Sequence, residues 1–413
     1  MQTFLILGAG TAGIMMARKM VRALDPDQWK VILVDKNSEH YYQPGFLFIP
    51  FGMYKKSDVV KPNRNFVARG VEYVVSPVEQ LEPAENRVTL GNGRVIHYDY
   101  LLIATGTDIR PDQTEGMLDG GWRQNIFDFY TYEGAAALAD AIARFEGGRI
   151  VVNVVEMPIK CPVAPMEFLF LANWYFTRKG LRDKVELVYA TPLPGAFTKP
   201  QASARFGSML ESKNIHVETE YAAGWVDASR NVLSSYDERE IPYDLLVTVP
   251  LNMGAEFIGS AGLGDELNFV KTDKYTLQST QYENIFAMGD AANLPTSKAG
   301  AVVHFQMHTA FKNIMAKING KPFPAAFDGH ALCYIETGFN KATLIDFDYE
   351  QEPLPGKYPL PGIGPFDLMG ETLINHWGKL AFKYMYWDLM LKGIEVPLPV
   401  KFSMAGKKLV PAT

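Results

Sequence analysis

Apolar residues recur along this chain as short unbroken runs that alternate with segments of helical spacing. The run Phe4 to Leu7 leads into a glycine turn, after which Ile14, Ala17, Met20, Val21 and Leu24 mark one face of a helix. "KVILVD", "YDYLLIATG", "GRIVVNVV", "KVELVYA" and "ENIFAMGD" are further runs of strand length ending in turn residues. Strands separated by helical patterns predict an α/β protein built on parallel sheets. A different pattern takes over near the C-terminus. In "ETLINHWGKLAFKYMYWDLMLKG", Leu373, Trp377, Leu380, Tyr384, Trp387 and Leu391 recur every three or four positions, with Lys379, Lys383 and Lys392 around them. That reads as one amphipathic helix able to lie in a membrane interface with its lysines at the headgroups; packing on the protein's own core or on a second subunit is the plainer alternative.

Length and composition narrow the picture. A chain of 413 residues exceeds what one hydrophobic core serves, so several domains are expected. A net charge of −6 argues against a nucleic-acid partner, which would call for a basic stripe. No apolar run of about 18 residues is available to span a bilayer, and "MQTFLILGAG" enters a strand at once without the layout of an export signal. The expected location is the membrane surface as a peripheral protein, on the cytoplasmic side. Two cysteines, Cys161 and Cys333, do not make a disulfide scaffold; such a pair is catalytic, redox-active or simply buried.

The turn Gly8-Ala9-Gly10-Thr11-Ala12-Gly13 sits between a strand and a helix, the context in which this spacing binds a pyrophosphate. Gly8 permits the tight turn, Gly10 lets the backbone approach the phosphates and Gly13 allows close helix packing. The helix N-terminus supplies free N–H groups and a positive dipole end. Asp35, ending the second strand beside Lys36, has the position of the carboxylate that holds adenosine ribose hydroxyls. Two later strands end in Ala104-Thr105-Gly106 and in Gly289-Asp290, and these resemble the second and third FAD signatures of the flavoproteins with two dinucleotide-binding domains. The resemblance implies FAD, with residues 1–110 and 245–320 forming its domain, a second Rossmann-like domain at 111–244 and a C-terminal quinone and membrane region at 321–413.

In that second domain the turn after Val155 contains no glycine. It reads Glu156-Met157-Pro158-Ile159-Lys160-Cys161, and the next strand ends in Tyr189-Ala190-Thr191 without a carboxylate. Such a turn obstructs a pyrophosphate, so the NAD(P)H site is expected to be lost and another electron donor to reach the flavin. Cys161 precedes the helical segment "PMEFLFLANWYF", whose dipole would favour a thiolate, as would Lys160 beside it; Glu167 is a possible proton acceptor.

These residues, together with "LPTSKAGAVVHFQ" and "HALCYIETGFNKATL", resemble the sulfide:quinone oxidoreductases and the flavin subunit of flavocytochrome c sulfide dehydrogenase over essentially the whole chain. The resemblance implies an FAD-dependent disulfide-reductase type of fold. In it Cys161 and Cys333 would flank the flavin ring as a disulfide or polysulfide, sulfide or a related small sulfur donor would attack the bridge, and electrons would pass through FAD to a membrane quinone. By the same resemblance Cys333 is the cysteine nearer the flavin, Cys161 carries the growing sulfur chain, and Lys298 lies near flavin and quinone. Many members have a third cysteine where this chain has Tyr130, and its absence implies non-covalent FAD. The other readings left open are a type II NADH:quinone dehydrogenase, a sulfide dehydrogenase subunit with a cytochrome partner, and a non-enzymatic flavoprotein acting as a redox sensor. A homo-oligomer is possible on any of them.

Overall fold

The computed structural model describes residues 1–394, 396 and 399–409. Two parallel five-stranded sheets dominate it. The first runs in the order Ile285–Ala287, Tyr100–Ile103, Gln2–Leu7, Trp29–Asp35, Val71–Val75, with Phe4 opposite both Val31 and Tyr100. Strands sandwiched between helices lose both faces to the core, which is why their sequences are continuous apolar runs and not alternating ones. Phe4, Leu5, Ile6 and Leu7 are accordingly buried together. The helix Thr11–Ala23 buries Ile14, Met16, Ala17 and Met20, close to the face read from the sequence; Val21 lies only partly inside.

The second sheet has the order Ile126–Phe127, Leu245–Val249, Gly148–Val154, Val185–Ala190, Ile215–Glu218, again all parallel. The α/β class with two Rossmann-like units is therefore what the chain adopts. One boundary moves. Residue 245 was expected to open the returning FAD segment, yet Leu245–Val249 pairs with Gly148–Val154 inside the second sheet. The chain crosses back only after Val249, through an antiparallel ribbon in which Leu251–Met253 pairs with Asp108–Arg110. A fully buried apolar strand satisfies either sheet equally well from sequence; its register alone assigns it.

The C-terminal segment adds a four-stranded sheet, in the order Ala331–Gly338, Lys341–Phe347, Gly364–Leu368, Gly356–Leu360. The helix Leu373–Asp388 packs across it, its start capped by Thr372 accepting a hydrogen bond from the Asn375 N–H. The helix Ala164–Lys179 packs on the strand Ala331–Gly338 from the second unit. Three parts of the chain thus meet at that strand.

Candidate active site

The glycine turn behaves as its spacing predicts. Gly8 has φ +101°, and a side chain there would strike the Ala104 carbonyl; one at Gly13 would run into the Gly8 carbonyl, so helix and strand close on each other only without them. At Gly10 an added Cβ would meet no protein atom within 4 Å. The Asp35 carboxylate accepts from the Ala9 N–H at 2.5 Å and from the Asn37 N–H at 2.7 Å, and partial burial raises it above the usual carboxylate range. Lys36 pairs with Asp108 at 2.8 Å on the rim.

A cleft of about 880 Å³ runs past Gly8, Gly10, Asp35, Lys36, Ala104, Thr105, Gly106, Gly289 and Asp290. The volume lies in the range of cofactor sites. Two features fit a dinucleotide there. The open face of Gly10 leaves room for a pyrophosphate against the backbone, and the Thr105 hydroxyl is buried with no partner among the described residues, a donor open to a ligand. Burial lifts the Asp290 carboxyl, against the pull of Lys298 and Lys160. FAD is thus matched by these residues in shape and in polar groups.

Lys298 is held in the turn it follows. Its ammonium donates to the Asp290 and Ala292 carbonyls at 2.9 and 2.8 Å and lies 3.9 Å from the Phe269 ring centroid, with burial lowering it to about 8. It clamps the turn that presents Asp290. Its own carbonyl accepts the Cys161 N–H at 2.7 Å, tying the cysteine loop to the first unit.

Cys161 adopts φ +50°, which bends the loop so that its carbonyl accepts the Ala164 N–H at 2.9 Å and the Tyr130 hydroxyl at 3.2 Å. Tyr130 and Lys160 also line the dinucleotide cleft, so the cysteine loop forms part of its wall. Cys333 is buried on the strand Ala331–Gly338; both cysteines are free thiols. Lys160 does not serve the thiol as expected. Its amine donates to the Thr107 carbonyl at 3.4 Å, and burial lowers it against the attraction of Asp290, Asp108 and Asp128.

Lys379 takes that place instead. The sequence reading put it at the headgroups, but its ammonium turns inward and donates to Glu167 Oε1 at 2.7 Å and to the Tyr334 carbonyl at 2.9 Å. Burial pushes the Cys161 thiol far up, Glu167 adds to the shift, and Lys379 opposes it. Cys333 is pushed up to about 12 by burial, again with Lys379 pulling down and Glu167 pulling up. Desolvation is the largest influence on both thiols and disfavours their charged forms. Glu167 is fully buried; its Oε1 also accepts the Glu336 N–H at 2.7 Å, while Oε2 has no hydrogen-bond partner among the described residues.

Sequence reasoning also missed a second route from the C-terminal helix to the cleft. Tyr386 lines the cleft, its hydroxyl 2.8 Å from Thr11 Oγ1 and 2.6 Å from His40 Nε2. Trp387 stacks on Phe66 and is buried with Leu391, whereas Leu373, Ile374, Trp377 and Tyr384 are exposed. The outward stripe is thus narrower than the six residues expected. The signal was available: Trp377 and Tyr384, seven apart, define one face, and His376, Lys379 and Tyr386 turn away from it.

The family pattern described as pyridine nucleotide-disulphide oxidoreductase matches residues 2–154. The mitochondrial sulfide:quinone oxidoreductase of Mus musculus is 27% identical over 396 residues, covering 94% of this chain and 86% of that protein. The mitochondrial enzyme of Dictyostelium discoideum is also 27% identical, covering 94% and 85%. Among solved structures, the sulfide:quinone oxidoreductase of Aquifex aeolicus superposes with a TM-score of 0.78 at 21% identity, covering 96% of this chain and 93% of its own, and so shares the fold.

Proposed function

From a chain that aligns with sulfide:quinone oxidoreductases over nearly its whole length, we propose an FAD-dependent flavoenzyme that oxidises sulfide and passes the electrons to a quinone. The observation that carries this reading is the Glu167–Lys379 ion pair, whose charges act on both Cys161 and Cys333, from separate units, with Lys160 and Tyr130 of the cysteine loop's surroundings lining the dinucleotide cleft. Residues of the cleft would hold FAD, which supplies a two-electron acceptor when bound.

The remaining chemistry belongs to the side chains. Cys161 and Cys333, oxidised to a bridge, are open to hydrosulfide: its sulfur bonds to one cysteine sulfur, the S–S bond breaks, and the other cysteine leaves as thiolate. That thiolate is the species the site must make affordable, since burial disfavours it and Lys379 is the nearby charge that favours it. The unpartnered Glu167 Oε2 is available to accept a proton from the incoming hydrogen sulfide or from the persulfide. The crowded loop between Val155 and Val163 supports loss of the nicotinamide site, because Lys160 N–H is tied to Asn252 Oδ1 and Cys161 N–H to Lys298 where a phosphate would need open backbone.

Among the described residues no helix is long and apolar enough to cross a membrane. The exposed stripe Leu373, Ile374, Trp377 and Tyr384 supports docking on a membrane surface, where a bilayer quinone is within reach. The test is anaerobic: the flavin absorbance should bleach on adding sulfide and return on adding a soluble quinone. Rapid bleaching by NADH, with none by sulfide, would replace this reading by the NADH dehydrogenase one.

A further inference from the structure

Two buried carboxylates lie within the field of a single lysine. Glu167 and Glu336 side chains are each 1% exposed, and Lys379 reaches the site between them from the helix Leu373–Asp388. Lys379 donates to Glu167 and makes no hydrogen bond to the Glu336 carboxylate. Glu336 is served by His376, one turn earlier on the same helix face, whose Nδ1 lies 2.9 Å from both Glu336 oxygens. The Glu336 N–H in turn fixes Glu167 Oε1 at 2.7 Å.

A carboxylate buried without a partner is strongly disfavoured. Had Glu336 no imidazole, the closest available cation would be Lys379, whose ammonium already feels the Glu336 charge. Moving to Glu336 would take Lys379 away from Glu167 and from the thiols. We infer that His376 is a positioning residue that, by occupying both oxygens of Glu336, reserves Lys379 for Glu167 and for the two cysteines. It touches neither sulfur; it acts by removing a competitor. Burial raises the Glu336 carboxyl and His376 is the first group to oppose that shift, which is the same competition seen from the carboxylate.

The inference rests on the two cysteines being the reacting pair, and it is tested separately from sulfide turnover. The readout is the rate at which iodoacetamide alkylates the reduced, FAD-loaded protein at fixed pH. His376→Gln should slow alkylation about tenfold, the equivalent of one unit in thiol pKa, and should slow flavin reduction by sulfide in parallel. Adding Glu336→Gln should restore alkylation to within about twofold of wild type, because the competitor is gone; such suppression is a coupling that general damage to the fold does not produce. Glu336→Gln alone should alkylate at the wild-type rate or faster, and it serves as the measurement if His376→Gln does not fold. An unchanged rate in His376→Gln, a double variant as slow as the single, or a slower Glu336→Gln would each overturn the inference. Failure of sulfide to reduce the wild-type flavin would sink the functional reading and leave this alkylation pattern standing.

Discussion

Lys379 and Glu167 form a 2.7 Å ion pair between the C-terminal helix and the helix that follows the cysteine loop, with side chains only 13% and 1% exposed. The helix expected to serve the membrane therefore also supplies the charge at the chemistry. Replacing Lys379 with methionine should leave Glu167 uncompensated and cost about 3–5 kcal/mol of stability. It should also raise both thiols further and slow flavin reduction by sulfide at least tenfold, read by thermal melting and anaerobic stopped flow. Wild-type reduction rates in that variant would contradict the role given to Lys379.

Truncation at Glu371 would not separate membrane binding from catalysis, because Lys379, Tyr386 and Trp387 would leave with the helix. Surface substitutions do separate them. Changing Leu373, Ile374 and Trp377 to serine removes three exposed apolar groups, each worth on the order of 1.5–3 kcal/mol when fully buried. The variant should no longer sediment with liposomes yet should still be reduced by sulfide. Equal sedimentation of both proteins would show that this stripe is not the docking face.

Legibility in the sequence followed the locality of the physics. The first glycine turn and the strands of both sheets are set by near neighbours, and Gly8, Gly10, Gly13 and Asp35 line up as their spacing dictates. The strand Leu245–Val249 was assigned to the wrong side of a boundary because its partner, Gly148–Val154, lies about a hundred residues away. Lys379, Glu336 and His376 were invisible as a group, since three separate positions become one buried cluster only after the C-terminal sheet closes on the helix Ala164–Lys179. Lys298 shows another side of this: its place near the cofactor turn is legible in the sequence, whereas the two carbonyls its ammonium bonds are known only from the fold.

Tyr130 is a phenol beside the cysteine loop, its hydroxyl donating to the Cys161 carbonyl. A phenol there offers no thioether, so acid precipitation should release all the yellow colour into the supernatant. Colour remaining with the pellet would mean a covalent link elsewhere.

Serine at Cys161 or at Cys333 should leave FAD bound, since neither thiol belongs to the glycine turn or to Asp290. Flavin reduction by sulfide should fall to a similar low level in both single variants and in the double variant, because residues acting as one unit are not additive. Full-rate reduction in either single variant would remove that cysteine from the mechanism.

His40 links stability to acid. It is buried between the Ala9 carbonyl and the Tyr386 hydroxyl, and desolvation lowers it from 6.5 to about 4. Between those two values the unfolded chain carries the proton and the folded chain does not. Stability therefore falls as pH drops from about 6.5 to about 4 and is flat in this respect below that, a loss of about 3 kcal/mol for the full shift. Because Tyr386 also bonds Thr11 at the start of the phosphate-facing helix, the loss should appear as weaker FAD retention as well as a lower melting temperature. His40→Gln, which cannot take up the proton, should flatten both curves over that interval while leaving the neutral-pH spectrum of bound flavin in place. If the variant and the wild type lose FAD along the same acid curve, His40 is not the group that titrates.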